Sequence, residues 1–190
     1  MLLSDIVELH SGQAQFRITE TADTNAPVYR YYSQAHLEQD LCLSDAPVSS
    51  KEIRTFDRIS SLLSSGDIVF SLISGKAVQI SKLHHHFLYT QNYVKLVPNA
   101  KINSSYLIYL LNENRSIHKQ LSSGLQGSQV LKYTTKQLKS LKLPKLPPLS
   151  KQHLIGDIYF KQQKLAHLKQ RVAHLEKLLV LKQLEKASAR

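Results

Sequence analysis

Three histidines in a row, His84, His85 and His86, are the most conspicuous candidates for chemistry in this 190-residue chain. Imidazole nitrogens ligate zinc-like ions. Consecutive residues on a strand point to alternate faces, however, so at most His84 and His86 could share an ion. No acid and no cysteine stands near them. Contacts to phosphates or base edges, or plain surface exposure, suit the trio better. A second group is Ser122-Ser123-Gly124-Leu125-Gln126-Gly127-Ser128-Gln129. Gly124 and Gly127 let backbone N–H groups approach a phosphate closely, and Gln126 and Ser128 supply short donors. It is not a nucleotide-binding loop, because the Gly-x4-Gly-Lys-Ser/Thr pattern is absent. A third group is Val28-Tyr29-Arg30-Tyr31-Tyr32. Tyr31 and Tyr32 beside Arg30 could stack and pair with nucleotides, or serve as strand residues packing one face.

What is missing narrows the chemistry further. There is no Gly-x-Ser-x-Gly elbow, no glycine-rich cofactor fingerprint and no Asn/Asp-Pro-Pro-Tyr/Phe motif of amino-methyltransferases. Cys42 is the single cysteine, which excludes an intrachain disulfide and a cysteine-based zinc site. Asp57 and Asp67 lie near basic residues, but a nuclease would need a firmer acidic cluster to hold metal. Neither catalysis nor a cofactor is expected.

Charge points instead to a polyanion. The net charge is +11 with a pI near 9.7, which favours such a partner. Its distribution is one-sided. Between Glu113 and Asp157 there is no acid, while Arg115, Lys119, Lys132, Lys136, Lys139, Lys142, Lys145 and Lys151 all occur. Such a run is the electrostatic footprint of nucleic-acid binding. Arg30, Tyr32, Arg54, Lys76, His84, His86, Gln126, Ser128 and Lys132 are the candidate DNA contacts, with Tyr31, Gly124 and Gly127 beside them.

The elements that position these residues fall into two parts. Hydrophobic residues make up 42% of the chain, enough for a core. Ser65-Gly66-Asp67 is a turn signal before Ile68–Ile73, a buried-strand run, and Ser74-Gly75-Lys76 leads into Ala77–Ile80 as a hairpin. Asn92–Pro98 is a further strand. One helix is expected over 104–121, with Leu107, Ile108, Leu110, Leu111 and Ile117 on a broad face. Pro144, Pro147 and Pro148 then forbid a helix interior, and Ser150 is a good N-cap for a helix running on to the C-terminus. Along that helix Ile158, Leu165, Val172 and Leu179 lie seven apart, with Leu154, Leu168 and Leu175 in the companion positions. Lys161 and Lys182 interrupt that second row. Such a seam on a helix about 50 Å long is a coiled-coil seam that seeks another helix. The charged N-terminus and the absence of a long apolar run lead to the expectation of a soluble, cytoplasmic protein.

In this order the parts resemble the specificity subunits of type I restriction–modification systems, which read bipartite DNA sites for a methyltransferase and a translocating nuclease. The resemblance rests on Leu62-Leu63-Ser64-Ser65-Gly66-Asp67-Ile68-Val69-Phe70-Ser71, and on Gly124-Leu125-Gln126-Gly127-Ser128 ahead of Thr135–Leu141. It rests also on Leu143-Pro144 with Leu146-Pro147-Pro148-Leu149-Ser150-Lys151-Gln152. The last is similar to the family's Pro-x-Pro-Pro-Leu-x-Glu-Gln lead-in to its long helix, with Lys151 in place of the usual Glu and an extra residue between the prolines. Full subunits carry two target-recognition domains and two such helices packed antiparallel; this chain has one of each.

The resemblance therefore implies a half-length form. Its fold class is α+β: a single globular target-recognition domain (1–142), a proline-rich hinge (143–149) and a long C-terminal coiled-coil helix (150–190). It implies a homodimer joined through Leu154, Ile158, Leu165, Leu168, Val172, Leu175 and Leu179 that binds double-stranded DNA. It also implies docking of modification (methyltransferase) subunits, with or without the restriction subunit. The residues alone leave another reading open, a coiled-coil scaffold that binds DNA or RNA without sequence preference.

Overall fold

Strand β4 (Ile68–Ser71) is buried along its whole length, and the rest of the fold is arranged to bury both of its faces. A computed structural model describes residues 1–123 and 132–188. In it β4 lies inside a four-stranded antiparallel sheet of order β1-β6-β4-β5, with β1 at Val7–Ser11, β5 at Ala77–Gln79 and β6 at Tyr93–Pro98. Alternate residues face opposite ways. Ile68 and Phe70 join Val94, Leu96, Leu107 and Leu111 on one face. Val69 joins Val78, Tyr93, Tyr32 and Leu37 on the other. A strand covered on both faces reads as a continuous apolar run rather than an alternating one. Gly66, at a φ of +91°, makes the turn ahead of it.

The first face is covered by α2 (Ser104–Glu113) and α3 (Arg115–Ser123). The single helix expected over 104–121 is thus two. Asn114 adopts an extended conformation, and its side chain accepts hydrogen bonds from Ser116 and Ile117 N–H. The chain restarts there because Asn competes for the backbone and makes a good N-cap. A short α4 (Thr135–Lys139) comes next. Residues 141–143 then run beside the first residues of the chain, with Leu3 N–H donating to Leu141 O (2.8 Å) and Leu143 N–H to Met1 O (3.0 Å).

The second face is covered by α1 (Gln34–Leu41), an element with little sequence signal. Beyond it, β2 (Val28–Arg30) and β3 (Glu52–Arg54) form a separate two-stranded antiparallel sheet. That small lobe has its own core of Ile18, Tyr31, Ile53 and Leu88.

The long helix α5 runs from Leu149 to Ser188, 40 residues and about 60 Å at 1.5 Å per residue. It begins one residue before the expected Ser150. Its root is fastened to α2. Gln152 is buried, accepts from Asn103 N–H (2.9 Å) and donates to Pro147 O (2.9 Å) and Lys101 O (3.3 Å). At Gly156 a Cβ would come within 2.6 Å of the Ser105 Cβ, so the two helices touch backbone to backbone. Tyr159 accepts from the buried Asn112 amide (3.2 Å) and donates to Glu113 (3.2 Å). Burial pushes the Tyr159 phenol up to about 12. Asn112 also holds both Ala77 N–H and Ala77 O (2.8 Å each), so its amide stands in for a missing strand at the β5 edge.

Candidate nucleic-acid interface

The outer face of the β2–β3 sheet is set by its register. Val28 pairs with Arg54 and Arg30 with Glu52, so these four side chains share one face, and all four are exposed. Tyr29 and Ile53, one residue out of phase, turn inward. Arg30 Nε donates to Glu52 (2.8 Å), and Arg54 donates to Thr24 O (3.0 Å). Both arginines are held in place yet open to solvent. Residues near His86 run beside this sheet, with Leu88 N–H donating to Arg30 O (2.8 Å), while His86 N–H donates to Leu63 O (2.8 Å). The His86 side chain is exposed, its ring centroid 4.0 Å from that of His85 with the planes tilted by 59°.

Lys76 and Lys132 come together at another place, one end of the main sheet. Tyr133 packs directly over Gly75. Lys132 donates to Asn92 Oδ1 (2.6 Å), and Lys76 reaches Asn112 O (3.4 Å). The acid-free stretch also supplies Lys119 and Lys142, which flank an open cleft between α3 and the hinge, with Ser116 and Ser123 on its walls. Gln120 binds both the N–H and the carbonyl of Lys142, fixing those walls together.

Tyr31, Tyr32 and His84 are a correction to the set of candidate DNA contacts, since all three are buried. Tyr31 completes the lobe core. Tyr32 donates to Asp40 (2.8 Å), and the same carboxylate faces His84 Nδ1 at 2.9 Å. The other His84 nitrogen meets Gln39 Oε1 at 3.1 Å, and Gln39 donates its amide to Ala46 O (2.6 Å). With both nitrogens engaged, His84 has none left for a base or an ion shared with His86. The reason is local: Lys82–His84 is a short 3-10 turn, not a strand, and it swings His84 inward. Burial, and then the Asp40 carboxylate, raise the Tyr32 phenol well above its usual range. Burial and the neighbouring His84 hold His36 below the ordinary histidine value. Gly124, Gln126, Gly127 and Ser128 lie outside the described residues.

Four further side chains belong on this surface. Phe16 and Phe56 are 78% and 65% exposed, and Arg17 and Arg58 stand one and two residues after them. The sequence signal, an aromatic closely followed by an arginine, is short and recurs at Tyr29-Arg30.

On α5 the seven seam residues, Leu154, Ile158, Leu165, Leu168, Val172, Leu175 and Leu179, are each between 45% and 59% exposed. At 100° per residue they form one stripe. The opposite side of the helix carries Gln152, Gly156 and Tyr159 towards the domain. Further along, His167, Gln170, Arg171 and His174 face residues 44–47 across a cleft of about 550 Å3. Nothing among the described residues covers the stripe. At the tip Val180, Leu181 and Leu184 make a second exposed apolar patch, on the side away from the seam. No helix among the described residues is long and apolar enough to cross a membrane.

Comparison with known proteins gives this arrangement a family. The model of the type I restriction modification DNA specificity domain matches residues 1–177. No curated protein matches. The HsdS subunit from Thermoanaerobacter tengcongensis is similar in structure over 98% of this chain and 42% of its own, with a TM-score of 0.60 at 19% identity. A chain from a study of complex assembly and conformational transition of the type I R-M system is similar over 98% and 43%, with a TM-score of 0.63 at 20% identity. The type I restriction-modification system S subunit from M. genitalium is similar over 96% and 42%, with a TM-score of 0.51 at 15% identity. The chain thus spans less than half the length of the solved structures it matches. With one globular α+β domain, one long helix and a family match over nearly its whole length, this chain belongs to the type I restriction modification DNA specificity domain family.

Proposed function

We infer that this chain is a non-catalytic DNA-recognition subunit that works as a homodimer. Two copies pair through the α5 seam, and each globular domain reads one half of an interrupted inverted repeat. The observation that carries the reading is the seam itself: seven apolar side chains in one exposed stripe, on the side of α5 opposite its own domain. Among the described residues no second long helix is present to cover the stripe, and a second copy supplies an identical surface in two-fold symmetry. Lysines of the acid-free stretch neutralise phosphates and fix the register of each domain on the duplex. The exposed arginines of the β2–β3 face reach base edges. The apolar tip patch of Val180, Leu181 and Leu184 lies off the dimer seam and suits docking of methyltransferase subunits.

Selection from a random duplex pool tests this reading. Two domains held by an antiparallel helix pair of this length place half-site centres at most about 1.8 DNA turns apart. The enriched site is expected to be an inverted repeat with a fixed spacer. Deleting one heptad, Leu165 to Arg171, from both copies moves the preferred spacer. A single asymmetric site, or repeats with freely varying spacers, would overturn the reading.

A further inference from the structure

Two phenylalanines project from the small lobe on turns that hydrogen bonds pin. Phe16 sits in the 3-10 turn Gln15–Arg17, closed by Arg17 N–H to Ala14 O (3.0 Å) and Ile18 N–H to Gln15 O (3.1 Å). The neighbouring Ile18 is buried and anchors the turn from below. Phe56 follows the buried Thr55, whose hydroxyl accepts from Asp57 N–H (3.0 Å). The two turns are tied together, because Thr19 N–H donates to Asp57 Oδ2 (2.6 Å) and Thr21 N–H to Arg54 O (2.9 Å). Single exposed apolar residues are ordinary on protein surfaces. Two large rings on adjoining, hydrogen-bonded turns are not frayed ends, and each has an arginine close behind it.

The charges around them are sorted. Glu20 is paired with Lys51 and Glu52 with Arg30. Asp57 is turned to the Thr19 backbone and Asp23 to Asn25 N–H. Arg17 and Arg58 have no acidic partner among the described residues; Arg17 lies 5.8 Å from the Phe16 ring centroid. The lobe therefore differs from the lysine-rich stretch: its charges nearly balance, and its most exposed groups are apolar rings with unpaired guanidinium groups beside them. Such a surface contributes less to salt-dependent affinity than the lysine-rich stretch does. It suits contact with the bases themselves, where a phenyl ring can enter a base step and the adjacent cation meets the flanking phosphate.

Resting on the DNA-recognition reading above, we propose that Phe16 and Phe56 are specificity-determining wedges, each inserting at a base step of the half-site while Arg17 and Arg58 hold the adjoining phosphates. The test uses the full chain and the duplex it enriches from a random pool, with a scrambled duplex as control. Phe16→Ala and Phe56→Ala should each weaken binding to the enriched duplex by about tenfold, the scale of one stacking contact. Their binding to the scrambled duplex should not change. Phe→Leu at either position should retain most of the affinity, since leucine also serves as a wedge. With wild-type chain, 2-aminopurine placed at successive steps should brighten at the step entered, and this brightening should disappear for the matching alanine variant. Unchanged affinity of both alanine variants, or no brightening at any step, overturns the wedge while leaving DNA recognition intact. So does loss of affinity on thymine-to-uracil replacement without brightening, which would assign the rings to thymine methyl groups. If wild-type chain does not distinguish the enriched from the scrambled duplex, the recognition reading fails and the wedge falls with it.

Discussion

The two halves of α5 are built on opposite principles. The root, residues 149–163, is fastened by particular groups: Gln152 with three hydrogen bonds, Gly156 where the backbones touch, and Tyr159 shared between Asn112 and Glu113. Beyond it, apart from the cleft where His167, Gln170, Arg171 and His174 face residues 44–47, the helix presents an exposed stripe of leucine and valine. Polar, geometrically demanding contacts specify one orientation of helix on domain; an apolar heptad supplies affinity for any matching heptad. One half is complete within the chain, and the other leaves its apolar stripe exposed.

The largest effect should come from breaking the unfinished half. Replacing both Leu168 and Leu175 with Glu puts two carboxylates per chain into the seam, at several kcal/mol each unless the helices part. Sedimentation should then show monomers with an unchanged globular domain. A wild-type chain that sediments as a monomer at tens of micromolar would remove the contrast altogether. Gly156→Leu attacks the finished half, because its side chain must displace Ser105 and the α2 backbone. A loss of about 3 kcal/mol is expected from such overpacking, read as a lower Tm with the dimer dissociation constant little changed. Equal loss of dimerisation would mean that the two halves are not independent.

A smaller effect sharpens the same contrast. Gln152→Leu leaves Asn103 N–H and the carbonyls of Lys101 and Pro147 without their partner, which should cost about 2 kcal/mol. Chemical denaturation followed by circular dichroism would measure it. The smallest effect is in pH. His36 has a lowered pKa in the folded domain, caused first by burial and then by His84. Above about pH 6.5 it is neutral in both states; as pH falls below that, the unfolded chain takes the proton first. Stability should therefore drop between pH 6.5 and the lower folded value, and His36→Gln should flatten the drop. The seam, being apolar, should hold its dimer across the same range.

The parts legible in the sequence were those governed by periodicity. The apolar run at Ile68–Ile73 marked a strand covered on both faces, and the seven-residue spacing of Ile158 to Leu179 marked the seam. The proline-rich 144–148 placed the helix start to within a residue. What escaped was polar burial. Helix α1 buries His36, Gln39 and Asp40 as well as Leu37, so no apolar stripe announces it. The same network draws Tyr32 and His84 inward, two residues whose polar tips read equally well as ligand contacts. The break at Asn114 depends on a side chain capping its own backbone, which no periodicity reports. On the lobe, no periodicity tells which way Phe16 and Phe56 point; only the fold turns them outward.

The pairing of residues 1–3 with 141–143 has a consequence for the order of events during synthesis. Residues 1–3 wait for the hydrogen bonds of Leu141 and Leu143, so this closure forms only after everything between them has been made. Contacts so distant along the chain are slow to form. Helix α5 comes immediately behind. Its root cannot dock until α2 is in place, and its stripe emerges after residues 141–143. A chain assembled in this sequence presents its sticky surface to a neighbour only once its own domain is closed, which limits the interval in which two half-made copies could tangle.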